Sequence, residues 1–176
     1  MAFWGNKDSQ PKRQHRFALT FGKRSGANQI PQWIVSRVTR PSMELSVIEH
    51  QYLNHVFKFP GRAKWNNISV TLRDPLQPDA SVELYSLLNA AGYAPPAKSP
   101  SEPSMKEAFT KAKFVKELGN IKIDALDSKG EPTETWTIVN PMIVSVNWGE
   151  FDYSSEELLD ITLDIAYDYA QIEKIK

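Results

Sequence analysis

The feature that most constrains this chain is an alternation of side-chain types across residues 158–169. A repeat of two predicts a long β-strand with one apolar face and one wettable face. At about 3.3 Å per residue the strand would span roughly 40 Å, about twice an ordinary strand. A strand of this length with a charged face favours a sheet that other subunits complete. The odd positions hold Leu159, Ile161, Leu163, Ile165, Tyr167 and Tyr169, and the even positions hold Asp160, Thr162, Asp164, Ala166 and Asp168.

Two other structures compete for the same residues. Asp160, Asp164 and Asp168 also share the i, i+4, i+8 spacing of one helix face. A helix would scatter the apolar residues around its whole circumference, so the strand is favoured. A divalent cation site is disfavoured as well, because successive acids on the strand would lie ~13 Å apart, whereas a cation gathers its ligands within roughly 2.6 Å.

Composition describes an ordinary globular chain. Its 176 residues suffice for one domain with a real core, and 41% are hydrophobic and 24% charged. No apolar run approaches the ~18 residues of a membrane-spanning helix, and the polar N-terminus lacks the apolar core of a signal peptide. The absence of cysteine excludes disulfides and thiolate chemistry and indicates synthesis in a cytoplasm. We expect a flexible basic arm at residues 1–15 and a single domain at residues 16–176.

Charge is divided unevenly along the chain, although the formal net charge is zero. Residues 1–65 hold 11 Lys/Arg and 3 Asp/Glu, a net of +8, and residues 66–176 hold 10 and 18, a net of −8. Such a division suits a protein that contacts its own copies, positive surface against negative surface. Folding that mixes the two halves would cancel the asymmetry, and charge alone leaves both possibilities open.

The rest of the chain predicts an α+β domain, a mainly antiparallel β barrel or sandwich with one or two helices. Asp79 is a suitable N-cap for a helix at residues 80–91, and a second short helix is expected within residues 104–115. Residues 93–103 contain four prolines and predict a surface loop. Residues 50–60 are less regular, and Pro60-Gly61-Arg62 predicts a turn that closes the segment. Strands are expected at residues 16–22, 33–39, 44–48, 65–74, 120–126, 133–139 and 142–148, followed by the terminal one.

Motifs that carry chemistry are absent from the sequence. The histidines, His15, His50 and His55, lack the spacing that places two imidazoles on one metal. No serine sits in a nucleophile elbow, and no glycine-rich phosphate loop is present. We therefore expect no catalytic residues, no cofactor and no metal.

Two segments together resemble the tail tube proteins of contractile-tailed bacteriophages. The first runs Lys58-Phe59-Pro60-Gly61-Arg62, then Trp65, then Ile68-Ser69-Val70-Thr71-Leu72-Arg73-Asp74. The second is Trp148-Gly149-Glu150-Phe151-Asp152-Tyr153-Ser154-Ser155 with the alternation that follows it. The resemblance covers roughly residues 16–169, and its motifs are structural signatures.

The resemblance implies a non-enzymatic virion protein that is assembled in the host cytoplasm. Its copies would form hexameric rings that stack head to tail into a hollow tube, each lending strands to a continuous inter-subunit barrel. The implied partners are the tail sheath protein, baseplate and tail terminator proteins, and the tape measure protein and genomic DNA in the lumen. No sequence-specific DNA binding and no membrane anchor are implied. A baseplate protein that starts or ends the tube, or the tube protein of a related injection machine, remains the alternative.

The resemblance also suggests two sets of functional residues. An acidic lumen would repel phosphate and let DNA slide, and the candidates for its wall are Asp160, Asp164 and Asp168. An ordinary solvent-facing or subunit-facing surface is the alternative for this face. The second set would form the contact between rings and comprises Tyr52, Leu53, Val56, Phe57, Phe59, Arg62 and Lys64. A loop packed on its own domain is the alternative for that segment.

Overall fold

Two four-stranded antiparallel sheets and a separate hairpin make up the fold. The structure is a computed structural model and describes residues 11–22, 30–93 and 109–175. In these ranges there are two α-helices, α1 (Ala80–Ala90) and α2 (Lys111–Leu118). The strands there are β1 (Phe17–Thr20), β2 (Val35–Val38), β3 (Met43–Tyr52), β4 (His55–Trp65), β5 (Ile68–Arg73), β6 (Ile121–Leu126), β7 (Pro132–Val139), β8 (Met142–Asn147), β9 (Asp160–Ala166) and β10 (Tyr169–Lys174).

The two sheets are built from different sets of strands. Sheet 1 has the order β1-β6-β7-β10, and sheet 2 has the order β2-β5-β9-β8. Strands β3 and β4 pair only with each other. All pairings are antiparallel. The predicted fold class, a mainly antiparallel β structure with two helices, is confirmed.

The core lies where the inward faces of the two sheets and one side of each helix meet. Alternation fixes which residues enter it, because successive side chains of a strand point to opposite faces. On β5 and β9 the alternate apolar residues are fully buried, while their neighbours remain half-exposed. The residues with no exposed surface on these two strands are Ile68, Val70, Leu72, Ile161, Leu163 and Ile165.

Helix α1 begins where the sequence predicts. The Asp79 carboxylate accepts a hydrogen bond from the backbone N–H of Val82 at 2.9 Å, which satisfies one donor of the first turn. Leu84 and Leu87 pack into the core. Val82 is 62% exposed and does not join the core.

The second helix lies further along the chain than predicted. It begins at Lys111, after an N-cap at Thr110 whose hydroxyl accepts from the backbone N–H of Lys113. It buries Phe114 and Leu118 and ends at Gly119, which has a φ of 60°. Residues 104–108 of the predicted helix lie outside the described residues, as do residues 1–10 of the predicted arm and most of the predicted proline-rich loop.

The single long strand predicted at residues 158–169 is wrong. The chain forms β9, bends at Tyr167 and Asp168, and continues as β10 in the other sheet. The backbone N–H of Asp168 donates to the carbonyl of Val139 at 3.2 Å, which starts the pairing with β7. After the bend the inward positions change parity, so Ala170 packs on the core while Tyr169 is exposed.

The irregular segment and turn predicted at residues 50–62 are also wrong. Strand β3 turns at Leu53 and Asn54, and β4 runs through Pro60 and Gly61 to Trp65. The register shifts between Leu45 and Val47, where two residues of β4 face one residue of β3. A bulge of this kind accommodates the Pro-Gly pair within the strand, so the pair does not reverse the chain.

Candidate assembly surfaces

The β3–β4 hairpin exposes an unusual amount of apolar surface. All ten residues of β3 are exposed, as are all residues of β4 except Gly61 and Trp65. A two-stranded hairpin alone is marginally stable in water, and apolar patches on a soluble monomer are normally small. The hairpin therefore has the composition of a surface that a partner covers. Its exposed large apolar residues are Met43, Leu45, Val47, Ile48, Tyr52, Leu53, Val56, Phe57 and Phe59.

The register distributes these side chains over both faces of the hairpin. On one face Ile48 lies opposite Phe59 and His50 opposite Phe57, which forms an aromatic patch near the tip. On the other face an apolar patch lies near the base, and a Glu49–Lys58 ion pair at 3.7 Å occupies the tip half. The two faces thus carry their apolar patches at different positions along the hairpin, one near the tip and one near the base. The base patch consists of Met43, Leu45, Val47, Pro60, Ala63 and Trp65.

A hydrogen-bonded bulge shapes the middle of the hairpin. The Ser46 hydroxyl accepts the backbone N–H of Arg62 at 2.8 Å. A Cβ added to Gly61 would lie 2.2 Å from that hydroxyl oxygen and 2.9 Å from the Ser46 carbonyl oxygen. Glycine at position 61 therefore allows the two strands to approach closely at the bulge.

All seven residues proposed for contacts between rings lie on this hairpin and are exposed. Leu53 stands at the turn with 84% of its surface exposed. Arg62 and Lys64 lie on the base half of β4, where Lys64 faces Glu44 across the ladder. The residues form one contiguous element, but their contacts with another subunit stay a prediction.

The three candidate lumen acids occupy two different places. Asp160 and Asp164 lie on the outer face of sheet 2, among small polar side chains. Asp160 pairs with Arg73 at 3.0 Å. Among the described residues nothing forms an ion pair or hydrogen bond with the carboxylate of Asp164. The hydroxyl-bearing neighbours on this face are Ser69, Thr71, Ser145 and Thr162.

Asp168 lies at the bend between the sheets and is tied to its own domain. The Lys111 ammonium donates to both of its carboxylate oxygens at 2.6 Å, and the Asn140 amide donates to one of them at 2.8 Å. These hydrogen bonds lower the pKa of Asp168 below its ordinary value, and the bond from Lys111 has the largest effect. The contacts fix the bend, and they persist until the pH falls through that lowered pKa.

A basic groove, which the sequence did not suggest, lies beside strands β1 and β2. Its volume is about 870 Å³. Among the described residues it is lined by six Lys/Arg and three Asp/Glu, a net of +3, and its apolar wall includes Phe17, Val38, Ile123 and Trp136. The cationic residues are Lys12, Arg13, Arg16, Arg37, Arg40 and Arg73.

Glu134 is the structural centre of this basic groove. It is only 7% exposed, and its carboxylate accepts hydrogen bonds from Lys12, from Arg40 at 2.5 Å and from the Trp136 indole at 2.8 Å. The Arg40 guanidinium also lies 5.8 Å from the Trp136 ring centre. One buried carboxylate thus joins the N-terminal segment, the chain entering the hairpin and sheet 1.

The segment between β8 and β9, residues 148–158, forms an acidic loop that stands out from the domain. Every residue in it is exposed; Phe151 is 93% exposed and Tyr153 is fully exposed. It carries four carboxylates and no Lys or Arg. The pKa of Asp152 is lowered below its ordinary value by two hydrogen bonds from Ser154. The bond from the backbone N–H has the larger effect, and the bond from the hydroxyl adds to it.

Other kinds of site find no support in the described part of the chain. There, no group of three or more His, Cys, Asp or Glu residues could hold a metal ion. In residues 11–22, 30–93 and 109–175, no helix has both the length and the apolar character needed to cross a membrane.

An exposed two-faced hairpin on a small β-sandwich is typical of structural subunits that pack against other chains. The sequence agrees with this class, because the family described as T4-like virus tail tube protein gp19 matches residues 13–171. The chain belongs to that family, and its role is that of a structural tail tube protein.

Solved structures with the same fold come from contractile particles. A chain of the anti-feeding prophage baseplate, symmetrised sixfold, superposes with a TM-score of 0.67 at 16% identity, over 96% of this chain and 99% of that one. A chain of the sheath/tube terminator of an extracellular contractile injection system in its extended state gives 0.67 at 19% identity, over 94% and 99%. A chain of the sheath-tube complex of an extracellular contractile injection system superposes with a TM-score of 0.64 at 18% identity, over 94% of this chain and 93% of that one. No curated protein matches the chain.

Proposed function

We propose that this chain is the repeating subunit of a hollow tail tube built from stacked hexameric rings. The tube would serve as the conduit for DNA during ejection, inside a contractile sheath and between a baseplate and a terminator. The role is structural and involves no catalysis. The observation that carries the proposal is the β3–β4 hairpin, whose apolar side chains, apart from Trp65, stay exposed in the described chain.

The two faces of the hairpin support contact with two neighbours at once. The aromatic patch lies near the tip and the second patch near the base, on opposite sides. If the hairpin lay between two other subunits, they would cover both patches, whereas a single partner would leave one face exposed to solvent. This arrangement suits contacts between successive rings, which continue head to tail without closing.

The outer face of sheet 2 is the best candidate for the lumen wall. It carries short hydroxyl and carboxyl side chains on β5, β8 and β9, and β8 also exposes Met142 and Val144. The large apolar residues of β5 and β9 lie on the opposite face. Arg73 neutralises Asp160, so Asp164 is the acid best placed to repel phosphate. Asp168 lies off this face at the bend, and we propose that it stabilises the subunit instead.

Assembly of the purified chain tests the main proposal. We expect hollow tubes or six-membered rings as the concentration rises, because only contact between copies covers the hairpin. Light scattering would measure the onset and negative-stain electron microscopy the shape. A species that stays monomeric at high concentration, and also on purified baseplates, would contradict the proposal.

Charge reversal at the lumen tests the proposed wall. We expect phage with Asp164→Lys to assemble tubes of normal length but to eject DNA more slowly, because a lysine on the wall attracts phosphate. Glu173→Lys is the matched control, since it makes the same charge change on an exposed strand of sheet 1. Equal ejection rates for the two variants, measured by dye release from single particles, would place Asp164 outside the lumen.

A protein that starts or terminates the tube is the second candidate. The structures with this fold include baseplate, cap and terminator chains at TM-scores close to that of the sheath-tube complex. The number of copies per particle, measured by quantitative mass spectrometry, distinguishes a ring present once from a ring repeated along the tail.

A further inference from the structure

The basic groove and the acidic loop are complementary surfaces that the inter-ring hairpin does not use. We propose that the acidic loop of one copy docks into the basic groove of a second copy. The aromatic side chains of the loop would lie against the apolar wall of the groove, and its carboxylates would face the arginines there. This inference rests on the self-assembly proposed above and assigns one of its contacts.

The charges on the two surfaces are complementary in sign and similar in number. The basic groove has a net charge of +3, and the acidic loop has a net charge of −4. Within the described residues, the side chains of Arg13, Arg16 and Arg37 form no ion pair or hydrogen bond. Three groove cations that pair with no acid among the described residues favour an anionic partner. The loop acids are Glu150, Asp152, Glu156 and Glu157.

The sizes and the apolar character of the two surfaces also agree. A groove of about 870 Å³ can receive one or two aromatic side chains. Phe151 and Tyr153 are almost fully exposed on the free chain, which is rare for such large residues. Burial against Phe17 and Trp136 would remove them from water. An aromatic anchor surrounded by charged residues is typical of the energetic centre of a protein interface.

The acidic loop is held in shape before any partner arrives. Gly149 has a φ of 79°, and a Cβ there would lie 2.6 Å from the Asp160 carbonyl oxygen. The other end of the loop is fixed by the Leu159 carbonyl, which accepts the backbone N–H of Asp74 at 3.0 Å. A loop with both ends fixed loses less conformational entropy on docking than a free segment would.

The positions of the surfaces suit a ring. The loop leaves β8, one edge strand of sheet 2, and the groove runs from β2, the other edge strand, across Thr71 and Arg73 of β5 to Asp160 of β9. A projecting loop and a groove that receives it are different surfaces of the chain, so their contact is heterologous, passes from copy to copy and closes when the rotation allows. A second copy is therefore the occupant that this geometry favours.

Cross-linking between single-cysteine variants tests the pairing directly, because the parent chain has no cysteine. Phe151→Cys places a thiol on the loop, and Ser36→Cys places one at the groove. The two proteins, one carrying a mass tag, are mixed in assembly conditions and treated with a short bis-maleimide. We expect a mixed dimer several-fold more abundant than that formed by Ser36→Cys with Leu76→Cys, whose thiol lies on a residue that is 96% exposed and outside both surfaces.

Charge reversal provides a second test that does not depend on a cross-linker. We expect two double variants to form no rings when each is tested by itself. One is Glu156→Lys/Glu157→Lys and the other is Arg13→Glu/Arg37→Glu. The mixture should recover ring formation, because copies that alternate around a ring restore every opposite-charge contact. All four residues are exposed, so both variants should keep the parent's melting temperature.

The outcomes separate this inference from the tube proposal. Rings that form without a mixed cross-link, or reversed variants that assemble alone as the parent does, overturn the loop–groove contact and leave the tube intact. A cross-link found only within one chain carrying both cysteines overturns it as well, since the loop then occupies its own groove. Neither rings nor cross-links at any concentration, or on baseplates, would overturn both.

Discussion

Phe57→Ser/Phe59→Ser should abolish tube formation at concentrations where the parent chain assembles, while the subunit stays folded. The two rings are 50% and 54% exposed on the free chain and form the aromatic patch near the hairpin tip. Full burial of a phenylalanine contributes about 1.5–3 kcal/mol. Because about half of each ring is already buried in the free chain, losing both contacts should cost about 1.5–3 kcal/mol per subunit and raise the assembly concentration roughly 10–10²-fold, as measured by light scattering.

The double variant needs a control that removes comparable apolar surface elsewhere. Val82→Ser/Leu76→Ser does so, because these residues are 62% and 96% exposed and lie on α1 and just before it. We expect that control to assemble as the parent does. Melting temperatures of all three proteins should agree closely, since exposed substitutions change stability by about 0.5 kcal/mol or less. Equal loss of assembly in the control would contradict a specific role for the hairpin.

Leu163→Ala should produce the largest loss of stability of any single change considered for this chain. Leu163 has no exposed surface and lies on β9 between Val70 of β5 and Val146 of β8. Truncation leaves a cavity in the middle of the core, which costs about 2–5 kcal/mol. Urea unfolding followed by circular dichroism would measure the loss.

Thr162→Ala is the matched control for the core substitution. It lies on the same strand, one residue away, and points to the outer face of sheet 2. We expect its unfolding midpoint to lie close to that of the parent. A control that loses as much stability as Leu163→Ala would mean that the outer face of β9 is packed as tightly as the inner one.

Local signals were sufficient for some elements. Strand β5 follows from strict alternation, and helix α1 follows from the Asp79 cap and the apolar residues after it. Both depend on interactions within about ten residues of sequence, so the sequence alone predicts them. The class of fold could be inferred for the same reason, because most strands carry their own alternation.

Long-range contacts decided the parts that sequence missed. The alternation continues through Tyr167 and Asp168, yet the chain changes sheet there because Lys111, 57 residues away, and the Val139 carbonyl hold the bend. The Pro60-Gly61 pair is typical of a turn, but the Ser46 hydroxyl holds it within β4. The basic groove was equally hidden, since Arg40 and Glu134 lie 94 residues apart.

The exposed β3–β4 hairpin has a consequence for the life of the unassembled subunit. An edge with this much apolar surface is a template for uncontrolled stacking of strands, and cells clear such proteins or lose them to aggregates. The Glu49–Lys58 pair, the charged Glu44, Arg62 and Lys64, and the bulge at Gly61 act as gatekeepers that discourage a neighbouring hairpin from adding in register. In the assembly that we propose, the residues that would position one copy against the next would therefore also keep newly made copies dispersed until a growing end is available.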